Sequence, residues 1–169
     1  MGNGFGADQL KRLLGVDGSS IDIGVISDSF SQVRNGVADS QNSGDLPPGD
    51  RVRILQDFSF GVKDEGRAMA ELMYDVGPGF DFLFHSGFVS VSDFATGIGE
   101  LADAGADIIV DDVFWLGQPQ CQQGPLEQAV NNVVAAGVPY FTSAGNHNGG
   151  SRFGVWSDLD GDNYHEFSN

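Results

Sequence analysis

Several of the residues that most readily betray a chemistry are scarce in this chain. Of 169 residues only Cys121 is a cysteine, so no internal disulfide can form and a cysteine-based zinc site is not expected. Three histidines are present, and His85 and His147 have no His or Cys partner at ligand spacing, so both read as structural or solvated. Bases are few: eight Lys and Arg stand against 24 Asp and Glu, a formal net charge of −16. Such a chain is repelled by nucleic-acid phosphates and by anionic lipid, which argues against both as partners. No apolar run approaches the roughly 20 residues of a bilayer-spanning helix. The opening Met-Gly-Asn-Gly-Phe-Gly lacks the basic start and apolar stretch of a signal peptide. There is no Gly-x-Ser-x-Gly elbow. No Gly-rich phosphate loop follows the first strand candidate, and Gly2, Gly4 and Gly6 follow no strand, so a nucleotide-binding domain is disfavoured. The acidity suits a secreted setting, a high-salt setting or calcium binding, and selects none of them.

What the chain does hold is core-forming material. It is 40% hydrophobic, with 13 Phe and 25 Gly, which suits one domain with a real core rather than an acidic disordered tail. The pattern alternates. A short amphipathic helix is expected over 7–14 and a strand over 21–26. A long polar loop follows over 31–50, then a strand over 51–55. A helix is expected over 64–76, a strand over 80–84, and a helix over 92–105. A nearly continuous apolar strand covers 107–113, then come a loop over 114–124, a helix over 125–136 with Pro125 in its first turn, and a strand over 138–143. Strands alternating with helices of this length predict βαβ crossovers: an α/β fold with a mainly parallel sheet and helices on both faces. Sites in such sheets gather at the carboxyl ends of strands. Those ends offer Ser27-Asp28-Ser29, Ser86-Gly87, Asp111-Asp112 and Ser143-Ala144-Gly145-Asn146.

The stretch 62–79, VKDEGRAMAELMYDVGPG, opens a helix with Asp64-Glu65-Gly66. An acid at a helix start is favoured by capping and by the helix dipole. That accounts for Asp64 but requires neither Glu65 nor Gly66.

Four segments in order carry a resemblance to the subtilase family of serine peptidases: IGVISDSF, DEGRAMAEL, ADIIVDDVFWLG and GVPYFTSAGN. Together they run from about Gly15 to Gly149. The resemblance implies a subtilisin-like fold, a single domain or its amino-terminal part over 1–169, and an incomplete carboxyl-terminal end. It implies Asp28 as the catalytic Asp and Asn146 as the oxyanion-hole residue. It also implies a substrate cleft lined by Asp112, Phe114, Trp115, Leu116 and Gly117. Glu65 stands where that family has His, and resembles the Glu base of the related sedolisins. Their second acid, one turn later, is here Met69, so the partner acid would be Asp28. A carboxylate base has an ordinary pKa of about 4.3. A second carboxylate and partial burial would raise it, so an acid-shifted optimum is expected.

The resemblance stops short of a nucleophile, because the family's Gly-Thr-Ser segment is missing. Thr142-Ser143-Ala144 reads as a strand end. The expectation is a serine endopeptidase-like domain, inactive alone in these 169 residues. The alternative is a non-catalytic peptide-binding or structural module on the same frame. Peptide or protein substrates are the implied partners, and secretion the implied localisation. A sheet without its later strands would tend to self-associate. No cofactor is required. Asp158, Asp160, Asp162 and Glu166 have oxygen-ligand spacing that could take calcium, although Gly161 is misplaced for an EF-hand and a solvated acidic turn is the favoured reading.

Overall fold

Side chains along a strand point alternately to the two faces of a sheet, and here both faces are covered along the central strands. In a computed structural model that describes residues 6–115 and 122–145, the elements run α1 (Ala7–Leu14), β1 (Asp22–Ser27), α2 (Val37–Ser43), β2 (Val52–Gln56), α3 (Glu65–Val76), β3 (Asp81–Ser86), α4 (Val91–Asp103), β4 (Ile108–Asp111), α5 (Pro125–Ala135) and β5 (Tyr140–Thr142). The five strands form one sheet in the order β2-β3-β1-β4-β5, with every pairing parallel. β1 and β3 occupy the middle and are buried along almost their whole length. That is why both read as apolar runs rather than as alternating patterns. The architecture is α/β and consistent with a subtilisin-like fold.

Two cores result. Ile23, Val25, Phe82 and Phe84 face Phe30, Leu46 and Ala70, with Met69 and Met73 of α3 packed against them. Ile26, Leu83 and Ile109 face Phe94, Ile98 and Leu101 of α4 and Val133 of α5. Gly97 makes close packing of α4 possible: a Cβ there would fall within 3.0 Å of the His85 ring. His85 is buried, with Nδ1 at 2.8 Å from the Ser86 carbonyl and Nε2 at 3.4 Å from Glu100.

The connections differ in hand. The link from β1 to β2 crosses the Phe30–Leu46 face in one direction along the sheet, and α3 returns from β2 to β3 over the same face in the opposite direction. α4 and α5 cross the other face from β3 to β4 and from β4 to β5. Three crossovers therefore share one hand and β2–α3–β3 has the other. Since about 98% of such crossovers are right-handed, the α3 connection is the rare left-handed one. It lays α3 over β1 and brings the start of α3 to the carboxyl end of β1.

The polar stretch 31–50 is not a plain loop, because α2 lies inside it. Its stabilising groups are polar, which hid it from an apolar-periodicity reading. Ser40 is buried and its hydroxyl donates to Glu71 at 2.6 Å. Asn35 bonds Asp39 at 2.9 Å, and Gly44 closes the helix in the left-handed region. Strand β4 ends at Asp111 rather than running to residue 113.

Candidate functional site

The triplet Asp64-Glu65-Gly66 divides into three jobs. Asp64 sits in the left-handed region at φ 59° and is only 3% exposed. Its carboxylate accepts from Ser29 Oγ at 2.7 Å and from the backbone N–H groups of Gln32 and Val33, both at 2.9 Å. It also pairs with Arg67 at 3.1 Å. A buried charge needs such partners, and here they fix the loop after β1. Asp57 assists by accepting from Phe30 N at 3.0 Å and Ser31 N at 2.9 Å. Gly66 is buried against the ring of Phe84, and its N–H donates to the Ser29 carbonyl at 3.2 Å. Glu65 alone of the three is exposed.

Asp28 stands just beyond β1 and is 6% exposed. Its carboxylate accepts from the backbone N–H groups of Ser29, Lys63 at 2.7 Å and Glu65 at 2.8 Å. Its own carbonyl accepts from Ser86 Oγ at 2.7 Å. An anion at a helix start meets free N–H groups and the positive end of the dipole. Asp28 thus holds Glu65 by its backbone and leaves the Glu65 carboxyl group to project from the carboxyl edge of the sheet.

Asp111, the last residue of β4, and Asp112 just beyond it part company. Asp111 turns toward α4 and α5. There it accepts from Val113 N at 3.1 Å and Thr142 Oγ1 at 3.0 Å, on the wall of a cavity of about 310 Å³ lined also by Phe94, Ile98, Leu126 and Val130. Burial pushes its carboxyl up from the ordinary range. Asp112 is half-buried, and its N–H approaches the Ile26 carbonyl at 3.4 Å, beside Ser27 and Asp28. Burial pushes Asp112 up, and the charges of Asp111 and Asp28 add to the rise. Glu65 is also raised, by the Asp112 charge first, then burial, then Asp28, with Lys63 opposing. Ser27 is 1% exposed, and its hydroxyl forms no hydrogen bond of standard geometry among the described residues. It nonetheless draws Asp112 back down, a looser interaction than a formed bond.

The structure therefore brings Asp28, Glu65 and Asp112 together at one edge. Trp115 packs partly against the α4–α5 core and donates its indole N–H to the Gly87 carbonyl at 2.9 Å, whereas Phe114 is 55% exposed. Asn146, Leu116, Gly117, Cys121 and His147 lie outside the described residues, as do Asp158, Asp160, Asp162 and Glu166. Among the described residues no group of three or more His, Cys, Asp or Glu could hold a metal ion, and no helix is long and apolar enough to cross a membrane. Sequence reasoning pointed to Ser27 only as one of the strand-end residues and missed Asp57 and Arg67. The acids at the β2–α3 junction were the available signal, but their partners lie about 30 residues away. Compared with known proteins, the chain matches no family model and no curated protein.

Proposed function

We propose that this edge is the acid–base part of a serine-peptidase site of subtilase type, with Glu65 as the base. The observation that carries the reading is the isolation of one exposed carboxylate, anchored through its backbone by the buried Asp28 and raised by neighbouring acids. A base needs that combination: access to the reacting hydroxyl, a fixed origin and an affinity for the proton above that of a free carboxylate. Asp28 serves as the anchor. Asn146, by resemblance, would donate to the oxyanion, and Phe114 would line the peptide cleft beside the half-buried Trp115.

The nucleophile is not among the serines near this edge. Ser27, Ser29 and Ser86 are all 1% exposed or less, and the 169 residues hold no Gly-Thr-Ser segment. These residues alone are therefore expected to hydrolyse no peptide. The test uses the native protein from its source, measured for intact mass and labelled with a fluorophosphonate that reacts with activated serines. The reading expects a mass above 17.9 kDa, a labelled Gly-Thr-Ser peptide, and loss of labelling in Glu65→Gln. A native mass of 17.9 kDa without labelling would overturn it and leave a peptide-binding module on the same frame.

A further inference from the structure

We propose that Asp112, not Asp28, is the acid that works with Glu65, so that the two carboxyl groups act as a pair holding one proton and Asp112 is a positioning residue for the base. The inference rests on the peptidase reading for its role in catalysis, and on the shared edge at the end of β1, together with the effect of the Asp112 charge on Glu65, for the pairing itself.

Asp28 is committed elsewhere. Both of its oxygens accept backbone N–H groups, Oδ1 from Ser29 and Glu65 and Oδ2 from Lys63. Among the described residues Asp112 is held more loosely, its pKa drawn down by the Ser27 hydroxyl and by its own backbone N–H. Val110 packs on the Phe82–Phe84 face and Asp111, the last residue of β4, lines the cavity on the α4–α5 face; the Asp112 N–H still meets the Ile26 carbonyl at 3.4 Å, which carries the β1–β4 pairing one residue further. The next residue therefore returns to the face covered by α3, where Glu65 begins the helix. The β1 neighbour of Asp112 on that edge is Ser27, whose hydroxyl is buried without a formed hydrogen bond. That hydroxyl can donate to Asp112 when Asp112 is ionised and accept from it when it is protonated. The edge can hold either state without opening a new unsatisfied group.

Two carboxylates sharing a site cannot both ionise freely, so a single proton distributes between them and the pair titrates in two linked steps. Among the described residues, Asp112, Asp28 and Lys63 act on Glu65, and Asp111 and Asp28 act on Asp112. Three of these are acids and one is a base. In the proposed cycle the pair begins with one proton, on Asp112. Glu65 takes a second from the nucleophilic O–H as the O–C bond to the scissile carbonyl forms. It then gives that proton to the leaving amine as the C–N bond breaks, and the pair returns to one proton.

The test is a carboxyl-carbon NMR titration of Glu65 in this chain, followed by a pH–rate profile of the native protein. In wild type the Glu65 signal is expected to move in two steps. In Asp112→Asn it should become a single step shifted to lower pH than in wild type, with burial and Asp28 still raising it. Asp112→Glu, which keeps the charge, should restore the two-step curve, and Asp28→Asn should leave it in place if the fold survives. In the native protein Asp112→Asn should move the acid limb of the rate profile toward lower pH. A single Glu65 step in wild type, or two steps surviving in Asp112→Asn, overturns the pairing even if Glu65→Gln abolishes activity. Two steps lost in Asp112→Asn, with full activity in Glu65→Gln, would keep the pair and sink the peptidase reading.

Discussion

Replacing Gly66 by alanine sets two ordinary effects against each other. In an exposed helix, glycine to alanine gains about 0.5–1 kcal/mol from reduced backbone entropy. At Gly66 the new Cβ would fall 2.9 Å from the Ser29 carbonyl oxygen and within 3.0 Å of the Phe84 ring. Neither neighbour can yield easily. One is backbone bound by the Gly66 N–H at 3.2 Å, and the other is a fully buried core ring that contacts Phe30, centroid to centroid at 5.0 Å. Overpacking of this kind costs about 1–3 kcal/mol, and weakening the Gly66–Ser29 hydrogen bond costs about 1 kcal/mol more. The net expectation is destabilisation by about 1–3 kcal/mol, a fall in Tm of about 5 °C for a domain of this size. Urea unfolding followed by circular dichroism measures it. The control is Gly99→Ala on α4, where a Cβ would meet nothing within 4 Å and a gain of up to about 1 kcal/mol is expected. If Gly66→Ala stabilised the protein as the control does, the close seat of α3 on Phe84 and Ser29 would be refuted, and with it the placement of Glu65.

Asp64→Asn should cost about 3 kcal/mol in the same assay, because the amide group would face buried donors that now meet a carboxylate and Arg67 would lose the nearer of its two acidic partners; a change below about 0.5 kcal/mol would contradict this. Glu65→Gln, at an exposed site, should leave stability within about 0.5 kcal/mol of wild type while abolishing serine labelling in the native protein. Stability should fall as pH rises. Asp111, Asp112, Glu65 and Asp22 hold their protons more tightly folded than unfolded, so each penalises the folded state once the unfolded chain ionises above about pH 4. Thermal melts from pH 4 to 7 should show a declining Tm, with a shallower decline in Asp111→Asn. A Tm rising over that range would refute this reading of the raised carboxyls.

The sequence alone determined the class of fold. Apolar runs such as Ile21–Ile26 and Phe80–Phe84, separated by helical spacing and glycine stops, leave little besides a parallel sheet with crossover helices, since each strand must bury both faces. It also pointed to the carboxyl ends of the strands, because Asp28, Asp112 and the Asp64–Gly66 triplet all fall at element boundaries. Tertiary structure decided which acid does what. Asp64 and Glu65 are adjacent and chemically alike, yet one is buried at φ 59° under Ser29, Gln32 and Val33 and the other is exposed. Their difference is set by a loop about 30 residues away and by the reversed hand of the α3 crossover, neither of which leaves a local pattern. The same holds for Asp111 and Asp112. Alternation says that they face opposite ways, but only the packing of α4 and α5 on one face and α3 on the other says which of them meets Glu65. Local pattern records what a residue can do; the charges and donors that the fold sets around it select one of those roles.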